Sequence, residues 1–110
     1  MSERFIRQIN GWVVRQQSPQ SAGPHPLILL LHGWTGDEDS MWVFAPRLPK
    51  NAILLAPRGI YTAPGGGYGW HIHKRNDFPW VDDFQNAIES LLELLTENNF
   101  PQADLEAIHM

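Results

Sequence analysis

The sequence contains no cysteine, which excludes a disulfide scaffold, a thiolate-ligated zinc or iron–sulfur site and a thiol nucleophile. Long apolar runs are also missing. The longest, Leu27 to Leu31, falls far short of the about 20 residues that a membrane-crossing helix needs. Met1-Ser2-Glu3-Arg4 lacks the apolar core of a signal peptide, so the expectation is a soluble, cytoplasmic protein with no membrane span. Basic residues are absent from the last third of the chain. Residues 76–110 carry eight acids and no Lys or Arg, whereas residues 1–75 hold all eight Lys and Arg against four acids. No basic cluster interleaves with aromatics, so no nucleic-acid partner is expected, and the acidic stretch reads as a solvated helix face in preference to a partner-binding arm.

What remains is a chain of 110 residues, 43% hydrophobic and 18% charged, enough for one small domain with one modest core. Phe5-Ile6-Arg7-Gln8-Ile9, Asn10-Gly11 and Trp12-Val13-Val14-Arg15 predict an antiparallel hairpin over residues 1–15. Asn-Gly accepts the positive φ that both central positions of a type I′ turn require. Ser18 to Pro26 reads as a loop. Leu27 to Leu31 and Ala52 to Ala56 are unbroken apolar runs, the pattern of parallel strands covered on both faces. Between them Asp39 or Ser40 caps a short helix across Met41–Ala45, limited by Pro46 or Pro49. Residues 57–78 form a long Gly/Pro-rich excursion of the kind that is commonly functional.

From Pro79 the period changes. Val81, Phe84, Ala87, Ile88, Leu91, Leu92 and Leu95 recur at helical spacing and predict an amphipathic helix over 79–97. Glu89, Glu93 and Glu97 repel one another along it, so packing of the apolar face must hold it. Residues 105–110 start another strand. Strands alternating with helices predict an α/β sheet, the hairpin leading into parallel strands with flanking helices.

Leu30 to Glu38, with His32-Gly33-Trp34-Thr35-Gly36-Asp37 at its centre, leaves a buried strand at the end where α/β folds place ligands. Gly33 lets backbone approach a ligand, and the Trp34 amide suits an oxyanion hole. An ordinary strand-to-helix turn with a capping acid fits the same spacing. His32 reads as a residue that holds the loop by hydrogen bonds more readily than as a general base. Arg58, just past a strand end, either binds an anionic group or, the preferred reading, pairs locally with an acid. His71-x-His73 with Asp77 is a weak metal-ligand pattern with no defined fourth ligand. Tyr68, Trp70 and Trp80 line a pocket or cover the core, with the pocket slightly favoured for Trp70.

Strand-His-Gly-x-x-Gly-Asp-Glu, the strand ending Ala56-Pro57-Arg58-Gly59, and Gly66-Gly67-Tyr68-Gly69-Trp70, in this order ahead of an acidic helix, resemble the bacterial phospholipase/carboxylesterase group of α/β-hydrolases. The resemblance runs from Leu27 to Met110 and extends loosely over the hairpin. It implies that Trp34 supplies one oxyanion-hole backbone N–H, with Gly33 and His32 shaping the turn. It also implies that Tyr61, Gly66, Gly67, Tyr68, Gly69 and Trp70 lie beside the substrate. The substrate class that the resemblance implies is a carboxylic ester or thioester, hydrolysed with no metal and no organic cofactor. The departure is the missing triad: none of Ser2, Ser18, Ser21, Ser40 or Ser90 sits in a Gly-x-Ser-x-Gly elbow.

The expectation is therefore the N-terminal portion of an α/β-hydrolase, truncated before the nucleophile elbow, inactive alone and prone to self-association. Two other readings stand beside it: a complete, non-catalytic small binding domain, and, more weakly, a metal site on His71 and His73.

Overall fold

The computed structural model describes residues 3–19, 23–71, 81–96, 99–100 and 103–109. Five strands form one mixed sheet in the order β1-β2-β4-β3-β7. They are β1 (Glu3–Ile9), β2 (Trp12–Ser18), β3 (His25–Leu29), β4 (Ile53–Pro57) and β7 (Ala103–His109). A separate two-stranded ribbon pairs β5 (Tyr61–Thr62) with β6 (Tyr68–Gly69). β1 and β2 are antiparallel, with Ile9 opposite Trp12 across the two-residue turn. Asn10 and Gly11 have φ of 49° and 86°, the left-handed pair that a type I′ turn demands.

β2 runs three residues beyond Arg15. Gln16 faces Leu55 and Gln17 faces Leu54 on β4, so cross-strand pairing holds a polar segment that has no apolar signal of its own. β3 likewise begins earlier than its apolar run, because His25 and Pro26 pair with Ala103 and Asp104 on β7. Pro26 has no N–H to give the ladder, and the β3–β7 register shifts between Pro26 and Leu27. Leu30 has left the strand but still donates its N–H to Leu55 O at 2.8 Å.

Every residue of β4 is buried, whereas β3 alternates buried and half-buried positions. The difference follows from the two layers. On one face Val14, Leu27, Leu29, Ile53 and Leu55 pack against Leu94 and Phe100. On the other, Leu30, Leu54 and Ala56 pack under Trp42 and Ala45, and Ile28 is only partly covered. Burying each large aliphatic side chain stabilises the fold by about 1.5–3 kcal/mol.

The segment over that second face is a 3-10 helix, Ser40–Arg47, not an α-helix. Pro46 lies inside it and removes a backbone donor, and the bond Trp42 N–H to Asp39 O (3.3 Å) spans three residues. Asp39 holds the N-cap position without a side-chain cap bond. The turn is closed instead by Asp37, whose Oδ1 accepts from Asp39 N–H at 2.8 Å, while Ser40 Oγ accepts from Asp37 N–H at 2.9 Å. The hairpin grips this helix from below: the Arg4 guanidinium lies 4.2 Å from the Trp42 ring centre, and Arg15 pairs with Asp39.

The amphipathic stretch is shorter than its period predicts. A 3-10 turn, Val81–Phe84, leads into α1 (Gln85–Leu94). Asn99 Nδ2 donates to Leu94 O at 2.9 Å and closes the helix end. Pro79, Trp80 and Glu97 lie outside the described residues. No helix among the described residues is long and apolar enough to cross a membrane.

Ala87 and Leu94 are buried, but Ile88 and Leu92, one turn apart on α1, are 46% and 65% exposed. Uncovered apolar side chains of this kind favour association. The 110-residue chain is expected to show a concentration-dependent mass in sedimentation velocity, and Ile88→Gln combined with Leu92→Gln to move it toward the monomer. Association unchanged in the double variant would place the adhesive surface elsewhere, on an edge strand.

Candidate functional site

The candidate site is built where β3 and β4 end side by side. His32 is 4% exposed, and both of its ring nitrogens are engaged. Nε2 accepts the Gly59 N–H at 2.8 Å, and Nδ1 lies 2.7 Å from Gly33 O. An acceptor at Nε2 places the proton on Nδ1, which donates to the Gly33 carbonyl. The imidazole is thus a neutral bridge between the two strand ends. Its own carbonyl accepts the Trp70 indole N–H at 2.9 Å, and the two rings lie 5.1 Å apart.

The Gly33 carbonyl also accepts the Gly36 N–H at 3.0 Å, so it is held inward from two sides. In a planar trans peptide the N–H points opposite to the C=O. The Trp34 N–H is therefore aimed opposite to the Gly33 carbonyl, away from His32.

The β5–β6 ribbon supports this turn. Thr35 N–H donates to Tyr68 O at 3.0 Å, and Tyr68 N–H to Gly36 O at 2.8 Å. Thr35 has φ of 70°, a left-handed conformation that costs a β-branched residue about 1–2 kcal/mol. Two glycines make the close approach feasible. A Cβ on Gly67 (φ 72°) would lie 1.9 Å from Thr35 O, and one on Gly69 would lie 2.2 Å from the Trp34 ring. Gly33 differs from both: its φ is not positive, and a Cβ there would meet nothing within 4 Å.

The residues expected to line the substrate loop fall into two groups. Gly66 is at the exposed ribbon tip, with φ of 123° and open space around it, and Gly67, Tyr68 and Gly69 run back under the turn. Tyr61 and Trp70 face other ways. The Tyr61 hydroxyl accepts from Asn86 Nδ2 at 3.1 Å, tying the ribbon to α1. Trp70 packs on the core between His32 and Trp12, 6.1 Å from the latter. Trp34 stacks on His71 at 4.5 Å and 10°, and His71 meets Phe84 edge-on at 5.0 Å. His73 and Asp77, the other members of the metal-ligand pattern, lie outside the described residues.

Under the turn is an ion pair that the sequence pattern left without a partner. Arg58 Nε and Nη2 donate to Glu38 Oε1 and Oε2 at 2.7 and 2.8 Å, the two-pronged arrangement that makes Arg–carboxylate pairs strong. Arg58 also lies 4.5 Å over the Tyr68 ring, and its N–H donates to Val13 O at 2.8 Å. The Glu38 carboxyl is held below its ordinary range chiefly by the Arg58 hydrogen bond, against the opposing effect of burial. Arg58 is pushed up by the same bond. Arg58 thus pairs with an acid twenty residues back in the chain.

Comparison of the sequence with protein-family models gives no match, and comparison with curated proteins gives none. Among solved structures the fold is similar to that of 2,6-dihydroxy-pseudo-oxynicotine hydrolase, with a TM-score of 0.56 and 20% identity, over 97% of this chain and 28% of that one. An enantioselective epoxide hydrolase mutant from Aspergillus niger, generated by directed evolution, matches with a TM-score of 0.34 and 19% identity, over 82% of this chain and 24% of that one. The first likeness, at its low identity, is one of fold: a mixed sheet with few helices, as in α/β-hydrolase enzymes, spanning less than a third of that hydrolase's length.

Two measurements test this geometry. Because the folded-state pKa of Glu38 is depressed, its pairing stabilises the fold above the unfolded value of 4.5 and is lost as pH falls below it. Glu38→Gln is expected to cost about 1–3 kcal/mol at pH 7 and to flatten the acid limb of stability followed by urea melts. Gly67→Ala and Gly69→Ala are expected to lower Tm, while Gly33→Ala leaves it unchanged. Equal losses at all three positions in a thermal melt would contradict the difference in space around them.

Proposed function

We propose that this chain is the N-terminal portion of a serine hydrolase acting on carboxylic esters or thioesters, and that it supplies the oxyanion-hole turn and the substrate loop. The observation that carries this reading is the inward-held Gly33 carbonyl, which directs the Trp34 N–H outward at the end of a buried parallel strand. A fixed donor there meets negative charge that develops on a carbonyl oxygen in the transition state. His32 is a positioning residue: both ring nitrogens already serve the backbone, so it takes no proton from a nucleophile. Gly33 keeps the approach to that donor open, because the fold itself does not require glycine at this position.

The nucleophile, base and acid belong to the remainder of the enzyme. In it a serine oxygen attacks the carbonyl as a histidine takes its proton, the alcohol or thiol departs, and water releases the acyl group. Gly66, Gly67, Tyr68 and Gly69 form the wall beside the substrate, and Tyr61 and Trp70 brace it from α1 and from the core. The fold likeness over nearly the whole of this chain and 28% of a hydrolase supports this division.

Residues 1–110 alone are expected to show no ester hydrolysis above a buffer control and no labelling by a serine-directed phosphonate. A label on one of the five serines, with activity lost in parallel, would overturn the proposal. In the complete enzyme Gly33→Val is expected to lower kcat by up to about 10²–10³, the effect of losing one oxyanion donor, because its branched side chain obstructs the approach to the Trp34 N–H. Trp34→Ala, which keeps the amide, leaves much of the rate, and His32→Ala falls between them. If Trp34→Ala abolishes turnover on a folded enzyme while Gly33→Val spares it, the backbone-donor assignment is wrong.

A further inference from the structure

At the other end of the sheet, where β4 begins, a cleft of about 300 Å³ opens between the hairpin and the segment that leads into β7. Its floor is apolar, made by Phe5, Ile53 and Phe100. Its polar wall is a chain of oriented hydrogen bonds. Arg7 Nη1 donates to Gln16 Oε1 at 2.7 Å, and Gln16 Nε2 donates to Ser18 Oγ at 2.7 Å. Arg7 can only donate, so the order of the chain is fixed from its end, and Gln16 is only 6% exposed. Arg7 Nη2 reaches Asn99 O at 3.1 Å, and the guanidinium lies 5.2 Å from the Phe100 ring centre.

The direction of this chain matters. Ser18 accepts from Gln16, which leaves its hydroxyl proton to donate onward, and Arg7 has more N–H groups than its two acceptors use. Both described acceptors of Arg7 are neutral amides, and no carboxylate among the described residues pairs with it. Burying a guanidinium is costly unless an anion meets it, and burial holds the Arg7 pKa below its usual value. The cleft therefore presents a cation and a hydroxyl donor over an apolar floor, a combination that an anion with a hydrocarbon tail satisfies.

We infer that this cleft binds a small organic monocarboxylate, its carboxylate on Arg7 and Ser18 and its tail against Phe5, Ile53 and Phe100. The site is separate from the Trp34 turn. Ser18 and Ile53 stand where β4 starts, whereas Trp34 lies past the end at which β3 and β4 finish.

The test titrates the 110-residue chain with hexanoate, hexanamide and inorganic phosphate by calorimetry and amide chemical shifts. Hexanoate is expected to bind at least about tenfold more tightly than either of the others, because only it offers both charge and tail. The largest shifts are expected at Ser18 and Asn99. Arg7→Gln should erase the preference for hexanoate over hexanamide, and Ser18→Ala should weaken hexanoate several-fold with the far-UV spectrum unchanged. Glu97, an acid two residues before Asn99 in the sequence, lies outside the described residues, so Glu97→Gln is titrated as well. The inference is overturned by equal binding of hexanoate and hexanamide, by phosphate binding as tightly, or by shifts centred on Gly33 and Trp34. Absence of binding in both the wild type and Glu97→Gln overturns it too.

Discussion

The site end of the sheet depends on one buried imidazole. His32 joins the turn after β3 to the second residue after β4 through Gly59 N–H and returns to its own turn through Gly33 O. Without it the buried Gly59 N–H would need another partner, and an unsatisfied buried group costs about 1–3 kcal/mol, whereas the Gly33 carbonyl would keep the Gly36 N–H. The Trp70 indole then docks on the His32 carbonyl, and Trp12 on Trp70. The hairpin turn, two strand ends and the far end of the ribbon are thereby linked through one neutral side chain.

Close approach follows from that bridge. With Gly59 drawn to His32, its α-carbon lies so near the β6 backbone that an added Cβ would stand 2.4 Å from Gly69 O. Gly69 in turn carries the Trp34 ring, and Gly67 carries Thr35. These glycines are required by neighbours, and Gly33 by none. The Glu38–Arg58 pair adds an electrostatic tie beneath the same turn, anchored further by Trp42 Nε1 donating to Glu38 O at 2.8 Å. Rigidity is concentrated around the Gly33–Trp34 peptide, and a side chain at position 33 would meet open space.

Where local chemistry decides the structure, the residues announce it. Asn10-Gly11 states its turn because only such residues accept two positive φ values in succession, and the apolar run of β4 fits a strand with every residue buried. Where partners are distant, the pattern is silent. Gln16 and Gln17 carry no strand signal and Ser18 reads as loop, yet all three form strand, since their partners are on β1 and β4. Asp37 closes the 3-10 turn in place of Asp39, a distinction that rests on backbone path and not on residue type. The site divides in the same way. His-Gly-Trp at a strand end is legible, whereas the dual engagement of His32, the recruitment of Trp70 by its carbonyl and the choice of Glu38 for Arg58 all need the third dimension. A signal for the last was present only in part: three consecutive acids, Asp37 to Asp39, after one strand and a lone base, Arg58, after the next, on strands that pair.

The strand order β1-β2-β4-β3-β7 carries a kinetic consequence. β2 and β3 are consecutive in the chain but do not touch, because β4 occupies the slot between them. During synthesis the hairpin closes early through a two-residue loop, yet β3 has no lasting neighbour until β4 emerges. β7 then joins β3 across a sequence separation of more than seventy residues, and contacts that remote are slow to form. A nascent chain must therefore hold two apolar edges apart and unpaired for the time it takes to make the intervening turn and 3-10 helix. β4 is the piece whose arrival turns a hairpin and a loose strand into a sheet.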